Sequence, residues 1–161
     1  MEVKLHTKIK HRILGYYYGV LSHLFKPKGP LHTWYYVDLF AGDGHCVCEP
    51  IPNHLADTMP DEIIKEWDPP FFSLINHAKQ INFPLKCIFN DSDKECILRL
   101  KEKLKPYDEY VVEVGNEDAN IYYRRVLELI KNPNRPGVFY LDPLHHDHLK
   151  FSTIREILTF T

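Results

Sequence analysis

Cysteine is scarce in this sequence: Cys46, Cys48, Cys87 and Cys96 are all that 161 residues carry. That excludes a small secreted module held by a disulfide framework and makes a reducing cytoplasm the default compartment. No apolar run is long enough for a signal peptide or a membrane span, which places no membrane among the partners. Charge of one sign is not in excess either, with 20 basic against 22 acidic side chains and a net charge of −2. No chain-wide basic field exists, so nucleic acid is not indicated by net charge, although a local basic face remains open. Internal repeats and low-complexity stretches are absent. What is present is the material of one folded domain spanning residues 1–161: 44% hydrophobic residues, with ten Tyr and nine Phe, at a length that supports one core.

The stretch Tyr35–His45 stands out. Strand-forming residues Trp34 to Val37, Leu39 and Phe40 run directly into Ala41, Gly42, Asp43 and Gly44, the pattern of a buried strand ending in a tight turn. Small residues let a backbone approach a ligand, and the N–H groups of such a turn are expected to point at what sits over the strand's carboxyl end. Asp38 adds a fixed acceptor just before the turn.

Upstream, Ile9, Ile13, Leu14, Tyr17, Val20, Leu21 and Leu24 are spaced to give a helix within residues 6–26 an apolar stripe. Lys8, Lys10, His11 and Arg12 at its start read as a solvated face or a phosphate-contacting lip. Downstream, residues 45–68 hold Pro50, Pro52 and Pro60 without a clear period, so an inserted loop is expected, with a short helical turn from Asp61 to Trp67. A helix follows from Pro69 with Asp68 as its cap. The rest alternates: strand Leu85–Phe89, helix Ser92–Leu104, strand Tyr110–Val114, helix Ala119–Ile130, strand Gly137–Leu141, helix Phe151–Phe160. Such crossovers require a parallel sheet. The expected fold is α/β, a Rossmann-like doubly wound, mostly parallel sheet with an N-terminal helix.

Each strand ends in polar residues, consistent with one ligand cleft along the carboxyl edge. The second strand ends Asn90-Asp91-Ser92-Asp93, where a carboxylate could accept both hydroxyls of a ribose; Asp91 is the first candidate and Asp93 the second, with helix capping by Asp91 or Ser92 as the alternative. The third ends with Asp118, an acceptor for an exocyclic adenine amine or a helix cap. The fourth ends Leu141-Asp142-Pro143-Leu144-His145, a carboxylate and a rigid turn where a substrate would meet the ligand.

Tyr-Val-Asp-Leu-Phe-Ala-Gly-Asp-Gly, then Asn-Asp-Ser-Asp, Glu-Asp-Ala-Asn and Leu-Asp-Pro, in that order, resemble class I S-adenosylmethionine-dependent methyltransferases. More narrowly, with the Lys-rich opening helix, the chain is similar to the three-Cys-motif partner (TcmP) proteins. The resemblance implies S-adenosylmethionine as cofactor, with Asp38, Phe40, Ala41, Gly42, Asp43 and Gly44 around its methionine part, Asp91 or Asp93 at the ribose and Asp118 at the adenine. It places Asp142 and Pro143 at the substrate position, with His145 nearby for proton handling, and it implies a partner protein bearing a three-cysteine motif. Class I enzymes carry further strands beyond a fourth, so the sheet is expected to be truncated after the fourth strand and the domain incomplete at its C-terminus. A non-catalytic module acting through a partner is then the alternative to an enzyme.

Three further motifs are weaker. Asp68-Pro69-Pro70-Phe71 looks like the catalytic tetrapeptide of adenine amino-methyltransferases, but it follows a charged stretch rather than a buried strand and reads as a helix entry. Cys46 and Cys48 beside His45 and His54 lack the second cysteine pair of a zinc site. His145, His146 and His148 with Asp147 are too close in sequence to converge on one ion, so no metal is assigned. A nicotinamide dinucleotide is disfavoured because the turn lacks the third glycine of Gly-x-Gly-x-x-Gly.

Overall fold

The computed structural model of the protein describes residues 2–3, 5–24, 33–48, 66–131 and 137–160. His54, the rest of 49–65 and the helical turn expected at 61–65 lie outside them. The elements are β1 (Glu2–Val3), α1 (Leu5–Leu24), β2 (Trp34–Asp38), β3 (Cys46–Cys48), β4 (Glu66–Trp67), α2 (Pro70–Ile81), β5 (Leu85–Asn90), α3 (Lys94–Leu104), β6 (Val111–Gly115), α4 (Ala119–Leu129), β7 (Gly137–Tyr140) and α5 (Phe151–Leu158). Short 3-10 turns occupy Lys105–Tyr110 and His146–His148.

Four strands form the main sheet in the order β6-β5-β2-β7, every pairing parallel. The chain therefore winds outward from β2 through β5 to β6, then returns across the sheet to β7 on the other side of β2. This is the doubly wound, Rossmann-like arrangement, and its reversal of direction leaves a crevice between β2 and β7 at their carboxyl ends.

The two faces are written into β2 by side-chain alternation. Trp34 and Tyr36 enter one core with Phe71, Phe89, Cys87 and Leu100, beneath α1, α2 and α3. Tyr35, Val37 and Leu39 enter the other with Ile88, Tyr122, Tyr123 and Val126, beneath α4 and α5. Phe71, Val37, Ile88 and Val126 are fully buried, each such side chain stabilising the fold by roughly 1.5–3 kcal/mol. Among the described residues no helix is long and apolar enough to cross a membrane.

Two local expectations are corrected. The stretch read as an inserted loop, 45–68, has strands at both described ends: β3 pairs antiparallel with β4 and parallel with β1 in a small second sheet. Strands of two and three residues are too short to show a period, and Glu66–Trp67 is extended rather than helical. Asp68 does not cap α2 either. Pro69 is the N-cap, with no side-chain hydrogen bond, and Pro70 opens the helix, its fixed φ suited to the first turn where an N–H is not required. Asp68-Pro-Pro-Phe is thus a helix entry, and Phe71 belongs to the core.

Candidate functional site

The turn after β2 is held by hydrogen bonds to its own surroundings. Phe40 N–H donates to Asp38 Oδ1 at 3.0 Å, Ala41 N–H to the Asn90 carbonyl at 2.9 Å, and Gly42 N–H to Asp91 Oδ2 at 2.9 Å. Gly42 and Gly44 take positive φ values of 60° and 69°, conformations that glycine adopts without steric cost. The N–H groups of Phe40, Ala41 and Gly42, expected to face a ligand, are spent inside the protein. What the turn presents is its surface of small residues and the Asp43 carboxylate, which lies 3.3 Å from Arg99 Nε.

Asp38 lies beneath the turn. It is buried, accepting the Tyr36 hydroxyl at 3.1 Å as well as the Phe40 N–H. Burial pushes its carboxyl up to about 7, with the nearby Asp142 and Asp91 charges adding to the shift and its two hydrogen bonds opposing it. Burial likewise raises the Tyr36 hydroxyl well above its ordinary value. Asp38 shapes the turn from below and has no face on the cleft.

At the tip of β5, Asp91 bridges the turn and the next helix: Oδ2 takes Gly42 N–H and Oδ1 takes Asp93 N–H at 2.9 Å. The cap of α3 is Asp93, not Asp91 or Ser92; its side chain accepts from Glu95 and Cys96 N–H, and those two bonds lower its pKa. Asp118 caps α4 in the same way through Asn120 N–H. Both carboxylates placed at ribose and adenine by resemblance therefore carry helix-capping duties, each through one oxygen.

Asn90 is the residue that aligns the strand ends. Fully buried, it donates to the Leu39 carbonyl at 3.3 Å and the Glu117 carbonyl at 2.9 Å, and its Oδ1 accepts Glu117 N–H at 3.1 Å. It ties the ends of β2, β5 and β6 into one rim. The signal for it was a buried amide closing an apolar strand. Gly115 makes room beside it, since a Cβ there would meet the Tyr122 ring at 2.4 Å and Asn90 Oδ1 at 2.8 Å.

Above this rim lies a cleft of about 540 Å³, within the range of small-molecule sites. Phe40, Gly42 and Asp43 contribute one wall, Asp91, Ser92, Asp93, Cys96 and Arg99 the second, Asp118, Ala119 and Asn120 the third, and Asp142, Leu144, Asp147, His148 and Lys150 the fourth. The structure thus gathers Phe40, Gly42, Asp43, Asp91, Asp93, Asp118 and Asp142 from the sequence-predicted set. Asp38, Ala41, Gly44, Pro143 and His145 do not line it. Gly44 turns toward α3, where its carbonyl accepts Lys103 Nζ at 2.9 Å. Arg99, Asn120 and Lys150 were missed, and Asp147 and His148, noted only as a cluster to which no metal was assigned, also line the cleft; their place depends on how distant segments meet.

Asp142 is engaged on its far side. Lys10 Nζ of α1 contacts Oδ1 at 2.6 Å and the Tyr140 hydroxyl donates to Oδ2 at 2.9 Å. Lys10, read with its neighbours as a solvated face or a phosphate-contacting lip, is part-exposed and ion-paired to Asp142. Nearby, His11 accepts the Trp67 indole N–H at 3.0 Å, and burial lowers its pKa. Among the described residues no three His, Cys, Asp or Glu side chains converge as metal ligands would.

The chemistry of the cleft is that of an acceptor-rich site whose lining also includes two cations, Arg99, which is paired with Asp43, and Lys150. Carboxylates suit hydroxyls and positive charge, and the cations suit a carboxylate. S-adenosylmethionine carries a ribose diol, a sulfonium, an ammonium and a carboxylate, and this donor set fits those groups.

No family model and no curated protein matches the chain with significance. Among solved structures it is similar to the crystal structure of protein LPL1258 from Legionella pneumophila str. Philadelphia 1, of the family model DUF519, at 14% identity and a TM-score of 0.57 over 86% of this chain. The chain spans 56% of the length of that protein. At such identity the likeness concerns the fold.

Proposed function

We propose that this is a methyltransferase-like domain that binds S-adenosylmethionine in the cleft over β2, β5, β6 and β7. The observation that carries the reading is the convergence of Asp43, Asp91, Asp118 and Asp142, from four separate strand ends, on one cleft at the point where the sheet reverses direction. Asp91 would take the ribose hydroxyls with the lone pairs left by Gly42 and Asp93. Asp118 would take the adenine amine with its second oxygen. Arg99, already against Asp43, would take the methionine carboxylate. When bound, the cofactor supplies an electrophilic methyl group. The chain's own contribution is to hold it and to orient an acceptor beside Asp142, since such a transfer needs alignment more than it needs acid–base chemistry.

Titration calorimetry with S-adenosylmethionine and with its demethylated product tests this. Binding of both, reduced at least tenfold by Asp91→Asn, is the expected result. Absence of heat for either compound overturns it.

A second reading is supported by the Lys10–Asp142 pair. The carboxylate at the substrate position is already held by an ammonium and a phenol, which favours a domain that binds the cofactor without turning it over and acts through a partner such as a three-cysteine-motif protein. Release of S-adenosylhomocysteine in the presence of candidate acceptors separates the two readings.

A further inference from the structure

His11 is the polar side chain on which four elements of the fold meet. It lies on the inner face of α1 and is 9% exposed. Its Nδ1 accepts the Trp67 indole N–H of β4 at 3.0 Å, and Cys46 Sγ of β3 lies 4.0 Å from the same nitrogen. The Trp67 and Tyr140 rings stand edge-on to the imidazole, each with its centre 6.3 Å away, so β7 meets the same ring. The β3–β4 pair is thereby fastened to α1 and to the end of the main sheet through one side chain.

An indole N–H can only donate. Nδ1 must therefore be bare, and the neutral imidazole carries its proton on Nε2. Protonation of His11 puts a hydrogen on Nδ1, since Nε2 already has one. Two donors then face each other across 3.0 Å, and the Trp67 N–H loses its acceptor. The bond exists in one protonation state only, whatever the pH at which the change occurs.

We propose that His11 is a pH-sensitive latch: neutral, it holds α1 to β4 through Trp67; protonated, it releases Trp67 and loosens the first half of α1, which carries Lys10 on the cleft carboxylate Asp142. Lys10 is the next residue along the helix, with its ammonium 2.6 Å from Asp142, so the state of His11 reaches a residue that lines the cleft.

The titratable groups around the imidazole set the direction. Burial, the largest effect, disfavours the imidazolium; Lys10 on its own helix opposes it as well, and Asp142 favours it. Both oxygens of Asp142 are already engaged, by Lys10 and by the Tyr140 hydroxyl, which limits what it can offer a second cation. Lys8, 5.7 Å from the centre of the Trp67 ring, adds positive charge nearby. Cys46 and Tyr140 stay neutral, since burial raises the thiol to about 11 and the phenol above its ordinary value. Glu66, beside Trp67, is turned to His45. The latch is therefore closed above histidine's ordinary 6.5 and opens as pH falls below it.

Nitrogen-15 NMR of the whole chain between about pH 7.5 and 4.5 tests the proposal across the range in which histidine titrates, with Trp34, the other of the two tryptophans, as internal reference. The Trp67 indole signal, assigned by its loss in Trp67→Phe, is expected to titrate with a midpoint below 6.5 and to lose at least tenfold in exchange protection, while the Trp34 indole stays in place. Protection of the main-chain amides of residues 9–14 is expected to fall at least tenfold at the same midpoint, and that of β5 to hold. His11→Asn, which keeps an acceptor oxygen near the position of Nδ1 and has no charge to gain, should leave the Trp67 signal constant over the whole range. A wild-type Trp67 signal that does not titrate overturns the latch, as does one that still titrates in His11→Asn. Joint movement of both indoles with loss of far-UV circular dichroism overturns it too, since acid then unfolds the whole domain. Titration of Trp67 while the α1 amides stay protected overturns the link to Asp142.

Discussion

Asp91 accepts the main-chain N–H of Gly42 at 2.9 Å, joining two residues 49 positions apart in sequence. One carboxylate thereby fixes the glycine turn of β2 to the tip of β5, and its other oxygen holds Asp93, the cap of α3. The shape of the cleft and the start of the neighbouring helix depend on the same side chain.

Asp91→Asn leaves one acceptor oxygen where two are used, and places an amide donor against an N–H. Hydrogen bonds to a charged group are worth roughly 1.5–3 kcal/mol, and this one is half exposed. The variant is expected to unfold with a stability lower by about 1–2 kcal/mol in urea titration. Its affinity for S-adenosylmethionine should fall further than that loss of stability explains if Asp91 is the ribose acceptor proposed above, because that acceptor is removed with the scaffold bond. Equal affinity in the variant and the wild type would remove Asp91 from the site.

Asp38 gives a pH signature. Its carboxyl is raised from an ordinary 3.8 to about 7 by burial, so between those values the folded protein holds a proton that the unfolded chain has released. Stability from this group is complete below about pH 4, declines as pH rises, and is gone above about pH 7. Asp38→Asn is uncharged and can keep both partners, its Oδ1 accepting Phe40 N–H and its Nδ2 donating to the Tyr36 hydroxyl. The stability of the variant relative to wild type should therefore climb by about 2–4 kcal/mol between pH 4 and 7 and then level off, as read by thermal melts across that range. A difference that does not change with pH would show that Asp38 stays ionised in the fold.

The main sheet was legible because β2, β5, β6 and β7 are each apolar runs stopped by polar clusters, and the alternation along Trp34–Leu39 already assigns residues to two faces. That Asp91 and Asp142 stand at the carboxyl edge of the sheet was legible because each follows an apolar run read as a strand; what their oxygens bind was not, since both also hold the fold together. The division of labour among Asp91, Ser92 and Asp93 was not, since any of the three can cap the following helix and only the loop geometry selects Asp93. Lys10 opposite Asp142 spans 132 positions, and nothing in a helix's own periodicity names the partner of its polar face. The strands β3 and β4 fall below the length at which a period of two is visible.

Gly44 and Gly15 should respond oppositely to the same substitution. At Gly44, φ is +69° and an added Cβ would lie 3.0 Å from Leu100 Cδ1, in a backbone region that alanine enters at a cost of about 1–3 kcal/mol. At Gly15, inside α1, a Cβ would meet nothing within 4 Å, and alanine raises helix propensity by up to about 1 kcal/mol. Differential scanning calorimetry should show Gly44→Ala melting several degrees lower than wild type and Gly15→Ala melting higher. A lower melting temperature for Gly15→Ala would mean that this face of α1 is covered.

Asn120 is the tie between Asp118 and the segment that follows β7 in the walls of the cleft. Its amide nitrogen donates to Asp118 Oδ1 and to the His148 carbonyl, both at 2.9 Å, and its oxygen accepts Lys150 N–H at 2.8 Å and the Thr153 hydroxyl at 2.9 Å. All four hydrogen-bonding positions of one side chain are used, three of them on the segment that follows β7. Removing them with Asn120→Ala strands the buried Thr153 hydroxyl and the Lys150 N–H, at a cost of about 2–3 kcal/mol. Because α4 and the sheet keep their own contacts, the loss should concentrate in the segment that carries Asp147, His148 and Lys150. Hydrogen exchange at the Lys150 amide is expected to quicken at least tenfold in Asn120→Ala, while the amides of β5 shift only by the change in global stability. Asn120→Asp, which keeps the two acceptor bonds but sets a carboxylate against Asp118 and the His148 carbonyl, should retain more of the Lys150 protection than alanine does. If both variants exchange like the wild type, the fourth wall of the cleft is held by α5 alone and Asn120 is not its anchor.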